Sequence, residues 1–247
     1  MGFTITILGS SGVFATRERA CAGYLLRMDD TVLWLDAGAG TWQRLLTHVD
    51  FRDLSGIILT HRHPDHTSDV FQAYHAREFG GPEPMPPIPL WAPQETIDQL
   101  VGYVRDFAKS FDLRVVEDGS EVTLDGCKVS FVKVAHPPDT LGVRMERDGT
   151  VFAYSSDTGP DANFERLATD ADVFLCEATF QSADDLWEGH MSASQAATIA
   201  SNYGVKKLVL THLPPWRDPE LSLKEAREAA GEVAVELAAD GLELEIG

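Results

Sequence analysis

Cysteine is scarce: Cys21, Cys127 and Cys176 lie far apart in 247 residues, and no Cys-x-x-Cys pair occurs. An odd, scattered set excludes a disulfide framework, and reduced thiols point to a cytoplasmic home. Long apolar runs are missing, since none approaches the roughly 18 residues of a membrane span, so no membrane partner is expected. No basic segment followed by an apolar core opens the chain, which argues against a signal peptide. MGFTIT has the form of a myristoylation signal, but Thr4 and Thr6 alternate with apolar residues as in a strand, so Gly2 is expected to be unmodified. Basic residues are few, 20 against 39 acidic ones, for a formal charge of −19. That sign opposes adhesion to a polyanion, so nucleic acid is a disfavoured partner. The turn Gly9-Ser10-Ser11-Gly12 has no following Gly-Lys-Ser/Thr and is not a phosphate loop. With no low-complexity linker, residues 1–247 are expected to form a single domain.

Short apolar strands and amphipathic segments fill this frame. Phe3–Leu8 is a strand, and Tyr24–Arg27 and Thr31–Leu35 form a hairpin about Asp29-Asp30. Leu54–Leu59 suits a buried strand, and residues 65–79 carry Val70, Phe71, Tyr74 and Phe79 at helical spacing. Five of the 13 prolines gather in "GGPEPMPPIP" (80–89), which must be a loop. A strand near Leu90-Trp91, a helix near 95–110 and strands at 121–124 and 127–135 follow. Two helical patterns close the chain, at 192–203 and 222–239, the second with an acidic, solvated face. "GYLLRMDDTVLWLDAG" (23–38) echoes "LGVRMERDGTVFAYSSDTG" (141–159): strand, polar turn, strand, Asp, Gly. Two similar halves follow, with two sheets inside and helices outside.

One stretch concentrates the chemistry. "LTHRHPDH" (59–66) places three imidazoles and a carboxylate within six residues. His61 and His63 sit two apart, so an extended backbone points both the same way. Pro64 keeps His63 out of the helical region and itself suits a first helical position. Asp65 and His66 then fall in a helical turn and point elsewhere. The segment thus addresses two neighbouring metal positions. Other ligands at apparent strand ends are His136, Asp157 and His212, and an anionic Asp157 suits a bridge between two cations. The expected sets are His61, His63, His136 and Asp157 on one ion, and Asp65, His66, Asp157 and His212 on the other. Imidazole and carboxylate without thiolate favour two Zn2+, with Mn2+ or Fe2+ as alternatives. His48 and His75 are assigned to ordinary surface or core roles. Trp187 and Trp216 lie near site motifs and are assigned to core or rim packing rather than to base-stacking platforms.

The pattern His-x-His-x-Asp-His, a later His, an Asp after a strand and a final His resembles the metallo-β-lactamase-fold hydrolases. That resemblance implies an α/β fold, an αββα four-layer sandwich of two mixed β-sheets flanked by helices. "CEATF" (176–180), "GHMSASQAA" (189–197) and "KKLVLTHLPP" (206–215) look like the ribonuclease Z branch. In that branch a Glu and a His outside the metal ligands form a relay beside the scissile phosphate, and the matching positions are Glu177 and His190. "LGSSG" (8–12) and "LDAGAG" (35–40) also match family segments, and Asp36 would there steady ligand histidines. The sequence departs from ribonuclease Z where that enzyme carries its tRNA-gripping arm: Gly142-Val143-Arg144 runs through a tight hairpin to Asp157. It is closer to armless relatives similar to class II cyclic-nucleotide phosphodiesterases.

The expected function is a dinuclear phosphodiesterase. A hydroxide held between the metals attacks a small phosphodiester such as a cyclic nucleotide, with Asp65, His190 and Glu177 as catalytic residues. The alternatives are tRNA 3′-processing endoribonuclease and acyl hydrolase acting on a thioester, lactone or lactam. A di-iron redox centre is disfavoured by His63, where such relatives usually carry Glu. The family resemblance also implies a homodimer.

Overall fold

The computed structural model describes residues 3–247; the reading of Gly2 as unmodified lies outside them. The first half runs β1 (Phe3–Gly9), β2 (Gly23–Met28), β3 (Thr31–Ala37), α1 (Thr41–His48), β4 (Gly56–Ile58), α2 (Pro64–Thr67), α3 (Val70–Phe79), β5 (Ile88–Ala92), α4 (Gln94–Tyr103) and β6 (Phe111–Val115). The second runs β7 (Glu121–Leu124), β8 (Cys127–Lys133), β9 (Leu141–Arg147), β10 (Thr150–Tyr154), α5 (Phe164–Ala168), β11 (Val173–Glu177), α6 (Ala193–Asn202), β12 (Lys207–Thr211), α7 (Pro219–Ala229), β13 (Ala234–Leu237) and β14 (Glu243–Ile246).

Two seven-stranded mixed sheets result, ordered β14-β1-β2-β3-β4-β5-β6 and β13-β12-β11-β10-β9-β8-β7. The layers follow from period-two alternation along buried strands. Leu33 and Leu35 of β3 join Ile5, Leu26, Phe131, Val143, Phe152 and Leu175 in the core between the sheets. Trp34, between them in sequence, faces outward to Leu45, Val70, Ala73 and Leu100 of the first helical layer. Ala153 and Phe174 likewise meet Leu167, Ala196 and Ala226 of the second. The fold is therefore the αββα sandwich.

The internal echo is structural. β2–β3 and β9–β10 are both antiparallel hairpins with two-residue turns, entered through Asp29 at φ 48° and Asp148 at φ 52°. Both are the left-handed geometry that twisted hairpins require.

Several elements differ from expectation. The 54–59 strand narrows to β4, although Leu59 N–H still donates to Trp91 O at 2.9 Å. The 65–79 helix breaks in two, because Asp69 N–H donates to Ala37 O at 2.8 Å while its Oδ2 accepts from Trp42 N–H at 2.8 Å. The 95–110 helix stops at Tyr103 and resumes only as a 3-10 turn at Phe107–Lys109. The 222–239 helix ends at Ala229, and Gly231 (φ 61°) turns the chain into β13. The acidic tail is thus not helical. In β14 exposed Glu243 and Glu245 alternate with buried Leu244 and Ile246 against β1. The proline-rich loop precedes β5, which runs parallel to β4. It therefore sits at the end of the strands opposite the one that leads to His61, pinned by Met85 N–H to Arg77 O (2.9 Å).

Candidate metal centre

The chemistry-bearing side chains leave the same ends of the strands. Asp36 lies at the end of β3, His61 and His63 after β4, His136 after β8, Asp157 after β10, Glu177 at the end of β11, and His212 after β12. In sheets with parallel strands this edge is where side chains from successive units converge. Left-handed residues turn the chain off the strands there: Asp36 (φ 54°), Ser156 (54°) and His212 (56°). Such conformations are sparsely populated for non-glycine residues and persist where the surroundings hold them. His63 is extended (φ −62°, ψ 146°), and Pro64 opens α2. Gly38 lets β3's exit press on that helix, since a Cβ there would come 2.0 Å from Asp65 O.

Two ligand sets converge. In the first, His61 Nε2 lies 3.1 Å from His63 Nδ1, which lies 3.3 Å from His136 Nε2. Asp157 Oδ2 closes the group at 3.7 Å from His61 Nε2 and 3.9 Å from His136 Nε2. In the second, Asp157 Oδ1 lies 3.3 Å from His66 Nε2 and 3.4 Å from His212 Nε2. His212 Nε2 is in turn 3.3 Å from Asp65 Oδ2. Bonds of about 2.0–2.2 Å to a tetrahedral ion put its ligands about 3.3–3.6 Å apart. The observed spacings bracket that range, and Asp157 turns one oxygen to each set. Among the described residues His66 Nε2 and Asp157 Oδ1, 3.3 Å apart, are fully buried and find no hydrogen-bond partner. Buried polar atoms left this way are costly unless a cation takes them up. The residues present therefore fit divalent metal.

The opposite nitrogens are tied down. His61 Nδ1 faces Thr60 Oγ1 at 3.2 Å, and His136 Nδ1 donates to Gly189 O at 2.7 Å. His66 Nδ1 donates to Asp36 Oδ2 at 2.8 Å, and His212 Nδ1 lies 3.0 Å from Thr179 Oγ1. Fixing one ring nitrogen aims the other inward. Burial pushes His61 well below its usual pKa, and His66 adds to the effect. Burial, then neighbouring His136, lowers His63 as well. Burial also leads the lowering of His136. Neutral imidazoles are what a metal requires. Burial opposes a charge on His66, but Asp157 and Asp36 outweigh it and push the group well above its usual value. The carboxylates of Asp157 and Asp36 thus favour positive charge at that corner. Burial also opposes ionisation of Asp65, yet the hydrogen bond from His212 brings it down to about 2.

His190 stands beside both sets. Its Nδ1 lies 2.7 Å from Glu177 Oε1, and its ring stacks on that of His212 at 5.6 Å. Burial disfavours its charge, but Glu177 prevails and pushes the pKa up to about 9. The Glu177 carboxylate is buried and accepts from Thr158 N–H (2.8 Å), Thr179 N–H (3.1 Å) and Met191 N–H (3.3 Å). These backbone donors supply the partners a buried carboxylate needs. The nearby helix α6 does not use His190 as a cap, because Ser192 and Gln195 form a reciprocal capping box.

The structure thus brings together all seven sequence-derived ligand candidates, with Asp36, Glu177 and His190 around them. His48 and His75 are exposed on α1 and α3, away from the cluster. Trp187 and Trp216 are 45% and 58% exposed, so both lie at the surface rather than in the core. Sequence reasoning missed three contributors. Tyr154 Oη donates to Asp36 Oδ2 at 3.0 Å, Thr60 gives Asp36 two hydrogen bonds, and Val13 N–H donates to Asp65 Oδ2 at 2.9 Å. Tyr154 reads only as another apolar strand position, and a backbone donor leaves no trace in side-chain identity. Thr60 sits inside the histidine motif, where its position was the one available signal.

The beta-lactamase superfamily domain matches residues 31–213. An uncharacterised protein of Mycobacterium leprae, ML1173, is 34% identical over 233 residues, covering 90% of this chain and 82% of its own. The crystal structure of the metallo-beta-lactamase fold protein YhfI from Bacillus subtilis superposes with a TM-score of 0.91 at 25% identity, covering 99% of this chain and all of that one. A ribonuclease Z of Salinispora arenicola is 27% identical over an alignment of 282 residues, 91% of this chain and 90% of its own. Family model, fold and buried His/Asp cluster agree, and the chain belongs to the beta-lactamase superfamily as a metallo-hydrolase.

Proposed function

We propose that the protein is a dinuclear zinc phosphodiesterase acting on a small phosphodiester. The observation that carries the reading is the Glu177–His190 pair: His190 lies close to Asp157 and His212, but its Nδ1 is taken by Glu177 at 2.7 Å. A planar carbonyl can be opened without a dedicated acid, whereas the departing alkoxide of a phosphodiester needs a proton. Imidazole and carboxylate donors at tetrahedral spacing favour zinc, and the two faces of Asp157 favour a pair. Such a pair, when bound, supplies a water of pKa about 7 and takes up charge at phosphorus. Glu177 orients the His190 ring and favours its protonated form, so that the N–H facing away from Glu177 is offered to a phosphoryl or leaving-group oxygen. Asp65, held by Val13 N–H, accepts a hydrogen bond from the attacking water. The test is a panel of cyclic AMP, bis(p-nitrophenyl) phosphate, a precursor tRNA and a thioester. Turnover of the diesters supports the reading, and turnover of the thioester alone refutes it.

Ribonuclease Z activity is the second reading, favoured by the relative of that name. Against it stands the two-residue turn at Asp148-Gly149, which leaves no segment between β9 and β10 to grip a tRNA. The 282-residue alignment exceeds the 247 residues of this chain, as it must if that ribonuclease carries segments absent here. The charge of −19 adds long-range repulsion of a polyanion.

A further inference from the structure

A cleft of about 770 Å³ opens beside the first ligand set, lined by His136, Pro137, Pro138, Trp187, Glu188 and Asp161 among others. Its position rather than its size draws attention: His136 belongs both to the cleft and to the ligand set. The Trp187 indole stands edge-to-face against His136 at 5.7 Å and against His190 at 5.4 Å. It therefore reaches from a ligand to the candidate proton donor. One face of the indole lies on the backbone of Gly189: a Cβ there would come 2.4 Å from Cη2 and Cζ3 of the ring. Gly189 O also accepts the hydrogen bond from His136 Nδ1 at 2.7 Å. The platform is thus braced by the same residue that orients a ligand. The side chain also lines the cleft and is 45% exposed. A large indole left open beside a site, with one face backed, has the form of a stacking surface rather than of core packing.

The cleft's charges narrow the occupant. Its one lysine, Lys133, pairs with Asp139 at 3.0 Å. Asp161 and Glu188 also line it and add negative charge. Such walls accept hydrogen bonds from hydroxyl and amino groups and repel a second phosphate.

We infer that Trp187 is a specificity residue that stacks on the nucleobase of a mononucleotide diester whose single phosphate lies at the ligand sets. This deepens the diesterase reading and rests on it for the identity of the reaction. Base stacking on an aromatic side chain is worth roughly a tenfold to hundredfold effect per base.

Two measurements on zinc-loaded protein test it. In the first, Trp187→Ala and Trp187→Phe are assayed on cyclic AMP and on glycerol cyclic phosphate, a diester with no aromatic group. Trp187→Ala should lower kcat/KM on cyclic AMP by about tenfold to a hundredfold, mainly through KM. The loss on glycerol cyclic phosphate should be at most threefold or so, and Trp187→Phe should recover most of the cyclic AMP activity. Equal losses on both substrates would make Trp187 a mere prop for His136 and overturn the inference, as would no loss on either. The second measurement needs no turnover: calorimetric binding of AMP and of ribose 5-phosphate. Wild type should prefer AMP, and Trp187→Ala should abolish the preference while leaving zinc content intact. A wild type that cleaves no diester yet shows this Trp187-dependent preference defeats the diesterase reading alone. A wild type that binds the two ligands equally defeats the stacking inference.

Discussion

Asp36→Asn is the sharpest probe of how the second ligand set is held. Oδ2 of Asp36 accepts from His66 Nδ1 (2.8 Å), Thr60 Oγ1 (2.9 Å) and Tyr154 Oη (3.0 Å), while Oδ1 accepts from Thr60 N–H (2.8 Å). Asparagine keeps the shape but replaces one oxygen with a donor. If its NH2 sits at the Oδ2 position it meets three donors. If it sits at Oδ1 it meets a backbone N–H that cannot turn away. The second orientation costs less, losing one hydrogen bond and weakening those from His66, Thr60 and Tyr154. Hydrogen bonds to charged groups contribute about 1.5–3 kcal/mol and neutral ones about 0.5–1.5, so the expected loss is about 2–3 kcal/mol. For a protein of this size each kcal/mol moves Tm by about 2–4 °C, so the metal-free protein should melt roughly 5–10 °C lower. Loosening the His66 ring should also weaken zinc binding by about 10–100-fold at the set that contains it, and much less at the other. Calorimetric zinc titration and scanning calorimetry read both effects. Tyr154→Phe, which removes one donor of four, should cost about 1 kcal/mol and leave zinc affinity within about threefold. If Asp36→Asn lowers Tm while both zinc affinities stay within twofold, Asp36 supports the fold alone and the positioning argument fails.

His63→Ala should remove one corner of the first set, so elemental analysis after reconstitution should find at most one ion per chain and turnover should vanish. His190→Ala should keep both metals but lose about 10²–10⁴-fold in kcat on cyclic AMP, and less on bis(p-nitrophenyl) phosphate, whose leaving group needs little protonation; loss of metal instead would mean that His190 is a ligand. Chelation should lower Tm, because an ion at 100 times its Kd stabilises the folded state by about 2.7 kcal/mol; a melting curve indifferent to chelator would refute the two-set geometry. At matched near-physiological salt, cyclic AMP should show a higher kcat/KM than a precursor tRNA, and faster accurate tRNA cleavage would reinstate the ribonuclease reading.

The ligand candidates were legible because their signal is local. His61, His63, Asp65 and His66 lie in one stretch, and His136, Asp157 and His212 each follow an apolar run. Strand-end position thus stood in for three-dimensional proximity. The same logic failed where a backbone hydrogen bond overrode side-chain pattern. Asp69 pairs with Ala37 O and so breaks a helix that periodicity would carry through. The stretch 222–239 keeps an amphipathic pattern past Ala229, but its last part finds a better partner beside β12, where Leu208 pairs with Val235. Pairing with a distant strand is a tertiary gain that local propensity does not record. Tyr154 stayed hidden for a related reason: a buried tyrosine in an apolar strand looks the same whether or not its hydroxyl has a partner.

The doubling of the fold explains why the centre sits where it does. The first half supplies His61 and His63 to one set and Asp65 and His66 to the other, from the one stretch that leaves β4 and enters α2. The second half supplies His136 to the first set, His212 to the second, and Asp157 to both. Neither half can complete a set by itself. The two hairpins that echo each other in sequence feed this seam from opposite sides: Asp36 follows β3's run and braces His66, while Asp157 follows β10 and faces both sets. Tyr154, at the end of β10, crosses the seam to donate to Asp36, and Tyr24 of β2 crosses it to meet Thr211 Oγ1 at 3.0 Å next to His212. The two tyrosine rings touch edge-to-face at 4.9 Å. The apolar core between the sheets thus ends in a polar layer of tyrosine, threonine and aspartate directly beneath the ligands. That layer converts the packing of the two sheets into the positioning of imidazoles. It is also why a ligand set drawn from both halves can be held within a few tenths of an ångström of tetrahedral spacing.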